Sequence, residues 1–146
     1  MRFWDSSALV PLCLSDEATP AIVLLLEADA DTALWWATPV ECASAFARQR
    51  REGRLSPEAE RQAGDVLDRL RSSAYAVDPS PQIQEVAMRV VRVHPLSSVD
   101  ALQLAAALAW ADGAPAGREF VCLDRRLREA ALREGFPVLP EEPPQL

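Results

Sequence analysis

The sequence predicts an α/β protein: a mostly parallel sheet of short strands, covered by helices on both faces. Three observations carry that expectation. Short apolar runs alternate with longer helical stretches along all 146 residues, the pattern of strands joined by crossover helices. The length is that of one domain, with no internal repeat and no linker. Apolar types supply 49% of the chain and charged types 25%, so a core can form without disulfide or metal staples. A single domain over 1–140 is expected, followed by an acidic, proline-rich tail over 141–146 that frays.

The elements follow in order. Residues 2–5 are a short apolar run ending in an acid, and 6–14 read as a helix. A second helix is expected over 16–27, where Ile22, Val23, Leu25 and Leu26 make a broad apolar stripe. Residues 32–37 read as a strand, and Thr38-Pro39 opens a helix that Gly53 stops. Ser56-Pro57 starts another, ending near 72. A short strand at 75–77 closes on Asp78-Pro79, and helices follow over 81–93 and 97–112. After the loop from Gly113 to Gly117 come a strand at 120–123, a helix at 125–134 and a last strand at 137–139. Adjacent strand residues face opposite sides, so Trp35 and Trp36 cannot both be buried by one layer, and core packing explains at least one of them. His94, before Pro95, reads as a loop residue without a chemical role.

Composition excludes several chemistries. The chain has one histidine, no lysine, fifteen arginines and a net charge of −7. A histidine acid/base pair, a Walker lysine, a Schiff base and a Ser–Lys dyad are all impossible. No nucleophile elbow is present for a triad built on His94. The three cysteines, Cys13, Cys42 and Cys122, form no Cys-x-x-Cys pair, which excludes a zinc ribbon and suits a reducing cytosol. No apolar run approaches the ~18 residues of a membrane span, and no signal peptide is recognisable, so a cytoplasmic protein without membrane contact is expected. If the chain is an enzyme, carboxylates and a metal carry it.

In α/β sheets, ligands bind beyond the carboxyl ends of the strands, and four acids lie at the starts of four helices. Asp5 and Asp124 end their strands; Glu41 and Asp100 sit in the first turns of helices. Singly, each has a structural explanation. Asp5 and Asp124 read as helix N-caps, Thr38-x-x-Glu41 as a capping box, and Ser97-x-x-Asp100 as a looser one. Together they read as a cluster. Each has apolar neighbours, and no lysine exists to neutralise them. A hard divalent cation, Mg2+ or Mn2+, is the natural counter-charge for converging carboxylates.

The segments FWDSSALV (3–10), TPVECASAFARQRREGRLS (38–56), SSVDALQLAAAL (97–108) and FVCLDRRLREAA (120–131) resemble the four acidic motifs of the PIN-domain family. The likeness is strongest to the VapC-type toxin ribonucleases of bacterial toxin–antitoxin pairs, in order, spacing and flanking residues over nearly the whole chain. It implies a PIN-like three-layer α/β/α sandwich and a metal-dependent endoribonuclease that leaves a 5′-phosphate and a 3′-hydroxyl. The resemblance carries the family's catalytic and metal-binding acids onto Asp5, Glu41, Asp100 and Asp124, with Asp5 and Asp100 as direct ligands of Mg2+ or Mn2+. Ser6 supplies the small polar residue beside the first acid. It further implies a homodimer and a cognate antitoxin whose tail covers the acidic pocket; the 16–27 helix and the alanine-rich face of the Glu41 helix are either surfaces for these partners or core.

One departure stands out. VapC-type proteins carry threonine or serine two residues before the last acid, where this chain has Cys122, and a thiol is a poorer hydrogen-bond donor. That substitution supports the alternative expectation of a catalytically weak or inactive PIN-like module that binds RNA or a partner protein. A phosphate receiver domain lacks its acidic pair and lysine here. A haloacid-dehalogenase phosphatase lacks its Asp-x-Asp, because Asp5 is followed by Ser6-Ser7. For RNA, local arginines must offset the negative total: Arg48, with Arg50, Arg51 and Arg54 late in the Glu41 helix, and Arg125, Arg126 and Arg128 after Asp124, either as phosphate forks or as a solvated face.

Overall fold

The structure is a computed structural model and describes residues 1–144. Five strands, β1 (Arg2–Trp4), β2 (Thr32–Trp35), β3 (Tyr75–Val77), β4 (Phe120–Val121) and β5 (Val138–Leu139), form one sheet in the order β3-β2-β1-β4-β5, and every pairing is parallel. Seven helices connect and cover them among the described residues: α1 (Ser6–Leu14), α2 (Thr19–Ala28), α3 (Thr38–Arg51), α4 (Pro57–Ser73), α5 (Pro81–Val93), α6 (Ser98–Trp110) and α7 (Arg125–Glu134). This is the three-layer α/β/α sandwich expected from the sequence.

Alternation along the strands divides the core into two layers. Phe3, Ala33, Trp35, Val77, Phe120 and Val138 face α5, α6 and α7, whereas Trp4, Leu34 and Val121 face α1, α3 and α4. Both faces are therefore apolar, as a doubly covered parallel sheet requires. The alanine run of α6 lies at the bottom of the first layer, with Ala105, Ala106 and Ala107 fully buried; small side chains let that helix approach the sheet closely. The chain winds from β1 to β2 to β3 on one side, then crosses to β4 and β5 on the other. The order reverses at β1, so the crevice between the carboxyl ends of β1 and β4 is the switch point where α/β sheets bind ligands.

Several boundaries differ from the sequence expectation, each for a local reason. The second helix begins at Thr19 rather than 16, because Asp16 Oδ1 takes the Ala18 N–H at 2.8 Å and Thr19 Oγ1 takes the Asp16 N–H at 2.7 Å. The strand at 120–123 stops at Val121, since the Leu123 N–H leaves the ladder for Ser7 Oγ at 2.9 Å. The strand at 32–37 stops at Trp35, where Trp36 and Ala37 turn into α3. His94 is buried rather than looped into solvent, with Nε2 at 3.2 Å from Glu134. Arg128 is also buried: it donates to the carbonyls of Cys122 and Pro140, at 2.7 Å each, and ties the start of the expected tail to β4. The rest of that tail includes Gln145 and Leu146, which lie outside the described residues.

Of the two helices expected to offer partner surfaces or core, α2 buries Ile22 and exposes Leu24, and α3 buries Cys42 and Phe46 and exposes Val40. Each therefore has one face in the core and apolar residues left outside. The tryptophan pair divides as strand geometry demands, Trp35 being 5% and Trp36 59% exposed. Trp35→Ala is expected to cost about 3–5 kcal/mol in urea denaturation, and Trp36→Ala less than about 1 kcal/mol. Equal losses would contradict the assignment of Trp35 alone to the core.

Candidate active site

Asp5 stands where β1 passes into α1. Its backbone N–H bonds to the Val121 carbonyl of neighbouring β4 at 2.9 Å, which fixes the two strand ends side by side. As the N-cap of α1, its Oδ2 accepts from the Ser7 N–H at 3.0 Å and the Ser7 hydroxyl at 2.5 Å. Its Oδ1 is buried and has no hydrogen-bond partner among the described residues. A cap needs one oxygen; the other is left for something else.

Ser7 ties the neighbouring strand to this aspartate. Its Oγ accepts from the backbone N–H groups of Leu123 at 2.9 Å and Asp124 at 3.2 Å while donating to Asp5. The Cys122 thiol lies 3.6 Å from Asp5 Oδ2 and 3.7 Å from Ser7 Oγ. A hydroxyl beside Asp5 is thus provided from the first turn of α1, next to the Cys122 thiol. Sequence reasoning passed over Ser7; the signal was the repeated serine in Asp5-Ser6-Ser7, of which Ser6 alone was assigned a role. Ser6 also lies in the site, donating to Glu41 Oε1 at 3.2 Å.

Glu41 corrects the capping-box expectation. The cap of α3 is Ala37, with no side-chain bond, and Thr38 and Glu41 turn instead toward Gln103. Gln103 Nε2 donates to Thr38 Oγ1 at 2.8 Å and to Glu41 Oε2 at 3.0 Å. Gln103 was also missed, since a glutamine among alanines and leucines has no spacing signal beyond its place three residues after Asp100. The other caps form as expected: Ser97 Oγ accepts from the Asp100 N–H at 3.2 Å, and Asp124 Oδ1 from the Leu127 N–H at 2.9 Å.

The four acids share one electrostatic neighbourhood. Burial pushes the Asp5 carboxyl up, the Ser7 bonds oppose it, and the Asp100 charge pushes it further. Burial and then the Asp5 charge push Glu41 from the ordinary 4.5 up to about 7, against the Ser6 and Gln103 bonds. Burial and the Asp124 charge push Asp100 up. Among the described residues none of the four makes an ion pair, the acidic partners of the arginines lying elsewhere. No three of them are drawn together tightly enough to hold an ion as they stand, among the described residues. The donor set nonetheless suits a hard cation: oxygen ligands only, one buried oxygen of Asp5 unpaired, and mutual repulsion without a counter-charge.

A cleft of about 680 Å³ lies beside these acids; Glu41 and Asp124 line it, with Ser6, Ser7, Val10, Val40 and Val99, whereas Asp5 and Asp100 do not. Arg48 lines it from α3. Arg125 and Arg126 are exposed on the first turn of α7 but outside the lining, and Arg128 is buried and engaged. Of the arginines late in α3 and just after it, Arg50 pairs with Glu60 on α4, and Arg54 with Glu52.

No family model matches the sequence, and no curated protein matches it. Solved structures do match its fold. PAE2754 from Pyrobaculum aerophilum superposes with a TM-score of 0.65 at 22% identity, over 94% of this chain and 81% of that one. VapBC2 from Rickettsia felis, bound to a DNA fragment from its promoter, gives 0.65 at 12% identity, over 94% and 96%. A toxin–antitoxin complex from Klebsiella pneumoniae gives 0.59 at 17% identity, over 85% and 87%. The chain shares the fold of these proteins.

The raised carboxyls make stability depend on pH. A carboxyl whose folded pKa lies above its unfolded value stabilises the fold fully below the unfolded value and loses that contribution as pH rises through the folded one. For Glu41 the window runs from 4.5 to about 7. In a chelator, the melting temperature should therefore fall between pH 5 and 8, and Glu41→Gln should flatten that fall. A wild-type curve that rises over this window would contradict the reading.

Proposed function

We propose that the chain is a divalent-metal-dependent endoribonuclease, the VapC-type toxin of a bacterial toxin–antitoxin pair, acting in the cytoplasm. One observation carries the metal-dependent part: a buried aspartate oxygen with no partner, in a hollow where carboxylates raise one another's pKa. Asp5 and Asp100 would hold Mg2+ or Mn2+, with Glu41 and Asp124 completing the set directly or through water. When bound, the cation supplies charge stabilisation at the phosphate and acidifies water for attack.

The chain's own residues do the rest. Ser7 and the α1 amides hold Asp5 with one oxygen free, and Ser6 and Gln103 hold Glu41 by one bond to each oxygen. No histidine lines the cleft to donate a proton to the leaving oxygen, so that proton would come from solvent or with the help of the bound cation. Arg48 faces the cleft and engages an RNA phosphate there; Arg125 and Arg126, exposed after Asp124, extend the basic contact outside it. Resemblance in the motifs supports RNA as substrate, an antitoxin as inhibitor and a homodimer as the working form. The Klebsiella pneumoniae complex and VapBC2, which share the fold, support the toxin–antitoxin assignment. Among the described residues no single helix is long and apolar enough to cross a membrane.

The alternative of an inactive binding module rests on Cys122. Ser7 weakens it, since a hydroxyl already serves Asp5 beside that thiol.

Purified protein should cleave RNA in Mg2+ or Mn2+ and stop in chelator, and Asp5→Asn or Asp100→Asn should abolish cleavage while the chain stays folded. Metal-dependent cleavage retained by both variants would refute the assignment, and a wild-type protein that binds RNA without cutting it would favour the binding module. Arg48→Ala should weaken RNA binding and reduce the slope of log affinity against log salt by about one; an unchanged slope would remove Arg48 from the interface.

A further inference from the structure

We propose that Gln103 is a positioning residue: its buried carboxamide locks Glu41 in place relative to Asp100, and so sets the spacing between acids carried on two different helices. The inference rests on the metal-dependent reading above and deepens it. Gln103 is fully buried on a helix whose other buried residues are Ala101, Leu104, Ala105, Ala106, Ala107 and Leu108. A leucine there would satisfy the core without the penalty of burying an amide. The amide is instead used at its donor end, where Nε2 reaches two side chains of one α3 turn, Thr38 and Glu41. These lie three residues apart and so share a helix face.

Asp100 lies three residues before Gln103 on α6, so the two occupy the same side of that helix. One side chain thus joins the first turn of α3 to the turn of α6 that carries Asp100. The amide's orientation follows from its partners: turned over, Oε1 would face the Glu41 carboxylate, acceptor against acceptor. In the orientation present, Oε1 has no partner among the described residues, a cost tolerated for the two bonds at Nε2. Thr38 is itself fully buried and serves as the fixed end of the clamp. Glu41 is the adjustable end, and without the amide only Ser6 would hold it among the described residues.

Gln103→Met keeps most of the volume and removes both donors. Calorimetric Mn2+ affinity should fall about 10- to 100-fold, the range typical of lost partners behind a metal ligand, with kcat for RNA falling and KM unchanged. In a metal-free crystal of Q103M, the Glu41 carboxylate should leave its position while the α3 backbone stays. Adding Gln103→Met to Glu41→Gln should cause no further loss of Mn2+ affinity, because both changes remove the same contribution. A purely structural glutamine would lower the melting temperature yet leave Mn2+ affinity and the Glu41 position as in wild type, and that result would overturn the proposal. If Q103M does not fold, Thr38→Val tests the fixed end: a smaller loss of Mn2+ affinity is expected, and none would count against the clamp. Should the wild-type chain bind no Mn2+, the metal reading falls, and the place of Glu41 in the Q103M crystal still decides whether the clamp exists.

Discussion

Like charges brought together at the carboxyl ends of β1 and β4 are the constraint around which the molecule is arranged. Two carboxylates about 4 Å apart repel by about 4 kcal/mol at an effective dielectric near 20, and this chain has no lysine with which to quench them. The sheet order explains why they meet. Reversal at β1 puts the ends of β1 and β4 side by side, and the Asp5 N–H bonded to the Val121 carbonyl holds them so. Asp5 and Asp124 follow those ends, and α3 and α6 place Glu41 and Asp100 near enough for the Asp5 and Asp100 charges to push Glu41 up and the Asp124 charge to push Asp100 up, although no three of the acids are drawn together tightly among the described residues.

The repulsion is contained by uncharged donors rather than by cations. Ser7 serves Asp5 and the two amides after Cys122; Ser6 and Gln103 share Glu41; Ser97 tempers Asp100. Neutral donors can orient a carboxylate without cancelling its charge, so the hollow keeps its attraction for a cation. Several arginines are engaged away from it, with Arg2 on Glu119, Arg50 on Glu60 and Arg128 on backbone carbonyls, while Arg48 lines the cleft. A site left repulsive in this way costs stability that the two apolar layers of the sandwich must supply, the usual trade between function and stability.

Much of this was legible in the residues. The order of strands and helices came from apolar runs and turn residues, and the four acids were found because each stands at the start of a helix, two of them directly after a strand. Boundaries were less legible where side chains compete with the backbone, as at Asp16 and at Leu123, whose N–H goes to Ser7 instead of the ladder. Glu41 was placed among the four acids, but the capping box that Thr38-x-x-Glu41 fits locally does not form, because Gln103, sixty-two residues away, takes its carboxylate. The burial of His94, in its loop, and of Arg128 goes with Glu134 and with the carbonyls of Cys122 and Pro140, partners that no local pattern reveals.

The central claim is that these acids jointly hold a cation through the free oxygen of Asp5. A crystal soaked in Mn2+ and read by anomalous scattering tests it most directly. The account predicts a peak bonded to Asp5 Oδ1 and to Asp100, with Glu41 and Asp124 alongside. A fully soaked crystal with no peak in the hollow, or with manganese bound only at other surface acids, would contradict it.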